Sequence, residues 1–431
     1  MDIQTLADQC RNASISMPSL PGETRNNALR HIAKVLDEHA EEIAAANRKD
    51  LERAHTENLE APLLKRLKFD QEKITQSCEG IESLIRLPDP VGTTLAATEL
   101  DKGLELFKVS RPIGVIGVIF ESRPDALVQI ASLCLKSGNA VLLKGGSEAA
   151  ATNEILASLI LNAGIEAGIP EGWMGLLETR SDVDGMLKLD DKVDLIIPRG
   201  SNEFVRYIMD HTVIPVLGHA DGICHVYIDR AADPEMAVNL SVDSKCQYVA
   251  VCNAAETLLV HEAVAGDVLP VLKKELEKRD VKILGCGRTC SIIQAEPADD
   301  GDWTTEYLDL VVSVKVVDSL EGAVSHINRY GSGHTDMIVT ADRQRALYFM
   351  DHADTADAFW NCSTRFSDGF RFGLGAEVGI STNKIHARGP VGLEGLMTYQ
   401  WRLVGDGHAV TDYSGPSARS FTHKPLNRDF E

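Results

Sequence analysis

Apolar positions along this chain follow two different periods. Near the N-terminus Ala28, Ile32, Val35, Leu36 and Ile43 recur at helical spacing with charges between them, which predicts a helix laid on something larger. Residues 91–108 are Thr-rich with alternating apolar positions around Gly103, and predict a hairpin or arm rather than core. The rhythm then tightens. Residues 114–120 form a continuous apolar run and predict a buried strand, and 126–133 predict a helix ending at Gly138. Residues 140–144 predict the next strand, with Ser147 capping a helix through Ile155 and Leu159. Strands over 174–177 and 193–197 follow, each separated by a helical stretch. Alternation at this spacing predicts a mostly parallel sheet with helices on both faces and ligands at the carboxyl ends of its strands.

A second alternating block follows. Asp233-Pro234 supplies a cap and a first-turn proline for a helix, and the apolar run 258–260 predicts a strand. A helix over 264–276, strands over 281–284 and 310–317, a helix over 320–327 and a strand over 337–340 complete the block. Strands around Phe359 and Gly379-Ile380 are expected to rejoin one of the sheets. Residues 398–404 read as an exposed strand that wants a partner. The tail from Ser414, rich in Ser, Pro, Arg and Asn, reads as mobile.

At 431 residues the chain is long enough for two or three domains. No apolar run approaches the roughly 20 residues a membrane helix needs, and the first residues lack a signal pattern. The expectation is a cytoplasmic protein with no membrane partner. Nine cysteines without a Cys-x-x-Cys pair fit a reducing compartment. Cys286 and Cys290 have no second ligand pair near them, so no metal is expected. A net charge of −21 argues against nucleic acid as a partner. It leaves room for a small anion, because Arg365, Arg371, Lys384 and Arg388 crowd a segment with only Asp368 and Glu377 against them.

The candidate chemistry centres on residues 245–257, where Cys252 precedes a small-residue run and an apolar strand. A thiolate there forms a thioester if a cation, a helix N-terminus or an oxyanion site supports it, since a free thiol has a pKa of about 8.5. Cys246 is a rival that spacing alone does not separate. Lys144-Gly145-Gly146, between a strand and a helix, lets the backbone approach a ligand and offers Lys144 to a ribose or phosphate. Pro198-Arg199-Gly200-Ser201 has the same character, and a helix starting at Ser201 or Asn202 turns free N–H groups to a pyrophosphate. The chain has neither a Gly-x-Gly-x-x-Gly nor a Walker loop, so a nucleotide binds in a less usual way. In the turn 120–125, Asp125 reads as a helix cap and Arg123 as an anion holder. His326, His334 and Asp336, around the turn 330–333, are further candidates for touching a substrate.

Taken in order, these pieces resemble the γ-glutamyl phosphate reductases of the aldehyde dehydrogenase superfamily. The resemblance runs through 114–125, 197–201, 218–225, 252–261 and 359–392 and covers nearly the whole chain. It implies an α/β, aldehyde dehydrogenase-like fold. A Rossmann-like cofactor domain would occupy 1–230, interrupted by arm strands near 97–109. An α/β catalytic domain carrying Cys252 would occupy 231–345, and 346–396 would return to the cofactor domain and cleft. The β-strand over 397–415 would serve oligomerisation by pairing with the arm, and 416–431 would be a tail.

The implied reaction is the reduction of L-glutamyl 5-phosphate by NADPH to L-glutamate 5-semialdehyde and phosphate, a step of proline biosynthesis. The implied partners are this small-molecule substrate, the glutamate kinase that makes it, and further copies of the chain in a homo-oligomer, a dimer or tetramer. The family's nucleophile matches Cys252 rather than Cys246. Lys144, Gly200 and Ser201 match cofactor contacts, and Glu306 is similar in placement to a ribose-binding glutamate. Ser122, Arg123, Asn361 and Arg365 are the implied oxyanion and substrate contacts. Two departures from the wider superfamily stand out. Where hydrolytic members carry a water-activating glutamate in Glu-Leu-Gly-Gly, this chain reads Val-Leu-Gly-His-Ala-Asp over 216–221. Where they carry an oxyanion asparagine before Phe-Pro, it has Ser122 before Arg123-Pro124. The alternatives are a hydrolytic NAD(P)-dependent aldehyde dehydrogenase, or a cysteine hydrolase or acyltransferase without a nicotinamide.

Overall fold

The structure is a computed structural model that describes residues 2–430 other than Ser122, His219 and Ala220, and not the side chains of Ala61, Pro62 and Arg180. The Thr-rich alternating segment folds as the antiparallel hairpin β1 (Thr94–Asp101) and β2 (Leu104–Pro112). It turns at Gly103, whose φ of +77° is open to glycine at little cost. The continuous apolar runs become four parallel strands, β3 (Val115–Phe120), β4 (Ala140–Lys144), β5 (Met174–Leu177) and β6 (Leu195–Arg199), in the order β5-β4-β3-β6. Helices cover both faces, which is why these strands are apolar on both sides.

Among the described residues the catalytic sheet has seven strands. They are β7 (Cys224–Ile228), β8 (Ala255–His261), β9 (Lys282–Gly285), β10 (Glu296–Pro297), β11 (Val311–Val317), β12 (Thr335–Val339) and β13 (Asp357–Trp360). All pair in parallel, in the order β10-β9-β11-β8-β7-β12-β13. Two boundaries differ from expectation. Because β7 is seated between β8 and β12, the catalytic domain starts at or before residue 224, not at 231. The helix Arg343–His352 and β13 also belong to this domain, with Phe349 packed under Tyr227. The chain rejoins the cofactor domain only with Ala376, Val378, Val391, Leu393 and Leu396, which sit in the cofactor core.

Four local expectations also fail, each for a physical reason. The N-terminal apolar series is two helices, Gly22–Glu38 and Ala40–Thr56, broken at His39. Ser147 does not cap the helix Ala150–Glu166. The Asp50 carboxylate reaches over from the Ala40–Thr56 helix instead, accepting from Ala151 and Thr152 N–H at 3.2 and 2.8 Å. Asp125 lies inside the first turn of Pro124–Lys136 and so is not its cap; Pro124 already fixes that start. Ile380 leaves the main sheets and forms with Gly389-Pro390 the two-stranded ribbon β14 (Ile380–Ser381) and β15 (Gly389–Pro390).

The exposed strand finds its partner. β16 (Met397–Val404) pairs along all of β2, from Met397 opposite Pro112 to Val404 opposite Glu105. The tail is pinned rather than loose. β17 (Lys424–Pro425) adds to β1, Arg428 pairs with Glu105, and Phe430 packs edge-on against Phe107 with ring centres 5.3 Å apart. Both edges of the arm hairpin are thereby covered.

Candidate active site

Cys252 lies in the turn between the helix Pro234–Cys246 and β8, at the amino edge of the catalytic sheet. It is half-buried, and its backbone is clamped. A Cβ placed on Gly222 would collide with the Cys252 carbonyl oxygen, so only glycine lets the two segments touch. The Cys224 thiol donates to that carbonyl at 3.2 Å. On the other side, the Asn253 amide donates to the Ser367 carbonyl at 2.6 Å, and the Thr364 hydroxyl donates to the Asn253 carbonyl at 2.7 Å. Two separate segments, 222–224 and 364–367, thus fix the turn that carries the thiol. Cys246 faces elsewhere, against the core on the helix side of the sheet, and burial pushes its thiol up.

Positive charge converges on this turn. The short helix Thr364–Phe366 brings Arg365 beside it, with Nε donating to Gln247 at 3.0 Å. Arg199 arrives from the end of β6, and its Nη1 is buried without a hydrogen-bond partner among the described residues. Burial and then the neighbouring Arg123 depress the Arg199 guanidinium, while Glu377, Asp125 and Cys252 act the other way. Burial likewise depresses Arg365, with Arg371 adding to it and Cys252 opposing. A buried guanidinium with an idle N–H is costly unless an anion meets it. Glu377 completes the group. Burial raises its carboxyl to about 7, against the Gly369 N–H at 2.7 Å and the charge of Arg199, which lower it.

A second cluster sits at the carboxyl ends of the cofactor strands. A Cβ on Gly200 would fall 2.9 Å from the Phe204 ring and 3.1 Å from the Glu121 carboxylate. Ser201 caps the helix Asn202–Asp210, accepting from the Phe204 N–H. Asn202 donates to Asp221 at 2.8 Å and to Glu306 at 2.7 Å, so Glu306 reaches across from the catalytic domain to this helix start. Asp221 also pairs with Arg206. Lys144 ends β4, mostly buried, with its ammonium turned onto the Gly145 carbonyl.

The sequence candidates therefore divide. Cys252, Arg123, Arg365 and the unforeseen Arg199 and Glu377 gather at one place; Gly200, Ser201 and Glu306 gather at another, with Lys144 on the same sheet edge. Ser122 lies outside the described residues. Asn361 is not brought to Cys252. It stands at the carboxyl end of β13, the opposite edge of the sheet from the thiol, with φ +54°. Its side chain accepts from the Thr340 N–H and donates to the Thr340 carbonyl, both at 2.9 Å, which is how Asn supports a left-handed reversal.

The expected arginine cluster is split as well. Arg371 donates to the Arg365 carbonyl at 2.6 Å, whereas Lys384 and Arg388 both hold Asp354, at 2.5 and 3.1 Å. His326, His334 and Asp336 are buried, and His334 lies 3.7 Å from the Cys224 thiol that holds the Cys252 carbonyl. Asp336 holds His225 at 2.8 Å, and burial depresses His326 to about 3. The described residues contain no cluster able to hold a metal ion. Arg199 stands in a turn that the sequence singles out, though its side chain carries no expected role there, and Glu377 reads from sequence as a counter-charge. The apolar flanks, residues 195–198 beside one and Ala376 and Val378 around the other, are the available signal that both are drawn inward.

The profile of the aldehyde dehydrogenase family matches residues 1–283. The γ-glutamyl phosphate reductase of Pelotomaculum thermopropionicum is 62% identical over 430 residues, covering 100% of this chain and 99% of that protein. The crystal structure of γ-glutamyl phosphate reductase from Thermotoga maritima superposes with a TM-score of 0.93 at 40% identity, over 95% of this chain and 100% of that one. A glyceraldehyde-3-phosphate dehydrogenase from Methanocaldococcus jannaschii, complexed with NADP, shares the fold at 17% identity and a TM-score of 0.67, over 94% of each chain.

Proposed function

The chain belongs to the aldehyde dehydrogenase family, within its γ-glutamyl phosphate reductases, and on that premise we propose how its residues divide the reaction. The reaction is the reduction of L-glutamyl 5-phosphate to L-glutamate 5-semialdehyde and phosphate, in proline biosynthesis, with a nicotinamide dinucleotide. NADPH is the proposed form.

The residues at the cofactor edge suit such a dinucleotide. Gly200 leaves room for backbone approach, the first N–H groups of Asn202–Asp210 face outward, Lys144 supplies a cation and Glu306 an acceptor for ribose hydroxyls. When bound there, the group supplies a hydride.

Cys252 is the nucleophile. Its sulfur attacks the acyl carbon, the C–O bond to phosphate breaks, and a thioester remains on the chain. A thioester accepts hydride at carbon far more readily than a carboxylate does. After hydride arrival the C–S bond breaks, the aldehyde leaves and Cys252 regains its electron pair. Arg199 and Arg365 hold the departing phosphate, as two guanidiniums beside one thiol are placed to do. The same charges favour the thiolate over the thiol. The clamp by Gly222, Cys224, Asn253 and Thr364 keeps the sulfur in line for attack. No glutamate stands at residues 216–221 to activate water, which protects the thioester from wasteful hydrolysis.

The buried Nη1 of Arg199, without a hydrogen-bond partner among the described residues and within electrostatic reach of Cys252, is the observation that carries this assignment. The test is the reverse reaction: semialdehyde oxidation should require phosphate, and phosphate-independent turnover would instead identify a hydrolytic dehydrogenase.

Tyr399, Trp401 and Leu403 leave apolar surface on the arm, with the Lys108 ammonium 3.8 Å over the Tyr399 ring. This face suits pairing between copies in a dimer or tetramer; a monomer by light scattering at micromolar concentration would contradict it. The kinase that makes the acyl phosphate is a proposed partner, to be checked by co-sedimentation of the two enzymes. No described helix is long and apolar enough to cross a membrane, and a cytoplasmic location goes with nine cysteines that form no disulfide among the described residues.

A further inference from the structure

The catalytic sheet buries an ion pair that the reaction above does not use. Lys245, at the end of the helix Pro234–Cys246, meets Glu256 of β8 at 2.5 Å, and both side chains are fully buried. Withdrawing two charges from water is costly, and their attraction offsets the cost only with good geometry and further hydrogen bonds. A Met–Leu pair would fill the space without that cost. The geometry shows what the charges do besides fill it.

Glu256 divides its two oxygens. Oε2 takes Lys245, and Oε1 accepts the Leu308 N–H at 3.3 Å. Leu308 has φ +52°, a left-handed conformation that a leucine adopts only when something holds it. The residue before it is held too. The Tyr307 hydroxyl lies 2.7 Å from Ser313 Oγ and donates to Asp302 at 3.0 Å, and its ring lies 5.9 Å from the Lys245 ammonium. The residue before that is Glu306, whose carboxylate spans to Asn202 at the cofactor helix. The buried pair, the strained leucine and the anchored tyrosine together aim one carboxylate. Glu256 stands four residues after Cys252, so one strand start positions both the thiol and this carboxylate.

We propose that Glu256, its charge balanced by Lys245, is a positioning residue for the cofactor: it holds the 306–308 turn so that Glu306 meets the ribose of a bound nicotinamide dinucleotide. This rests on the reading of Glu306 as a ribose contact given above. Glu256 acts through an acceptor atom, so glutamine in its place preserves the function once Lys245 is neutralised, whereas leucine does not.

The test is NADPH affinity, read from nicotinamide fluorescence without any substrate, in two double variants. Lys245→Met/Glu256→Gln should bind within about twofold of the parent. Lys245→Met/Glu256→Leu should bind about tenfold more weakly, the loss of one backbone hydrogen bond. Added to Glu306→Gln, which alone weakens binding, the leucine variant should cost nothing further, because its effect passes through Glu306. A leucine variant that binds normally, or whose loss persists undiminished in the Glu306→Gln background, overturns the proposal and leaves the ribose reading standing. A Glu306→Gln variant with unchanged affinity overturns the ribose reading itself and the proposal with it. Should the leucine variant not fold, amide exchange decides the matter in the unaltered protein: the Leu308 N–H should exchange more slowly with NADPH bound, and unchanged exchange contradicts the proposal.

Discussion

The two halves of the cleft are built on opposite principles. At the cofactor edge, the polar side chains at the helix start bond to one another: Asn202 to Asp221 and Glu306, and Asp221 to Arg206. At the nucleophile, charge is left unsettled. Arg199 keeps a buried N–H without partner among the described residues, and Glu377 is pushed to about 7. A ligand at the first edge exchanges one set of hydrogen bonds for another, so it gains selectivity more than affinity from them. An anion at the second relieves a cost the fold already bears. The first half is suited to a ligand that comes and goes intact, and the second to a group that changes charge during reaction.

Variants on the two sides should therefore separate cleanly. The largest effect belongs to Cys252→Ser, which should lower reduction on the order of 10⁴-fold or more. NADPH affinity and the thermal midpoint should stay at parental values; a residual rate above about one-hundredth of the parent would remove Cys252 from the central role.

Next comes Arg199→Met. In the reverse direction it should raise the KM for phosphate on the order of 10²-fold, the worth of a charge-assisted bond in a buried site. Stability should change little, since a buried N–H without a partner among the described residues is removed while the attraction to Glu377 is lost. A normal phosphate KM would mean that Arg365 holds the phosphate alone.

Glu377 gives a smaller and pH-dependent effect. Its folded pKa of about 7 lies above that of an ordinary carboxyl, so ionising it costs folding stability that is lost as pH rises toward and through 7. Above that pH its negative charge also opposes phosphate beside Arg199. Glu377→Gln should thus lower the phosphate KM severalfold at about pH 8 and leave it nearly unchanged at about pH 6. Parallel shifts at both values would place Glu377 outside the phosphate site. Titrating both proteins side by side cancels the ionisation of phosphate itself.

The smallest effect is on the well-paired side. Asn202→Ala should weaken NADPH by only about two- to fivefold, because water replaces its bonds, and should leave the phosphate KM alone. A change in phosphate KM of equal size would erase the distinction between the two halves.

The halves also differ in how legible they were from sequence. Parallel strands reveal themselves because both faces are apolar, so β3, β4, β8, β11 and β12 were visible as runs. The arm was visible because alternation is a local property. What could not be read was where side chains go after a reversal. Asn361 sits within the resemblance and within four residues of Arg365, yet the turn between them sends one to each edge of the sheet. Asp50 displaced Ser147 as a helix cap from 102 residues away, a contact no local pattern encodes. The tail looked mobile because Ser, Pro and Asn dominate it; Phe430 and Arg428 tie it to the arm. Glu377 reads as a counter-charge to the arginines near it in sequence, because its burial against the Gly369 N–H and beside Arg199 of β6 is a tertiary matter.

The central claim is a thioester on Cys252 that only phosphate can resolve. It is tested most directly by mixing the enzyme with semialdehyde and NADP without phosphate and following nicotinamide absorbance. The account predicts one burst equal to the number of enzyme sites, then a stop, then steady turnover when phosphate is added. Steady turnover before phosphate is added would contradict it.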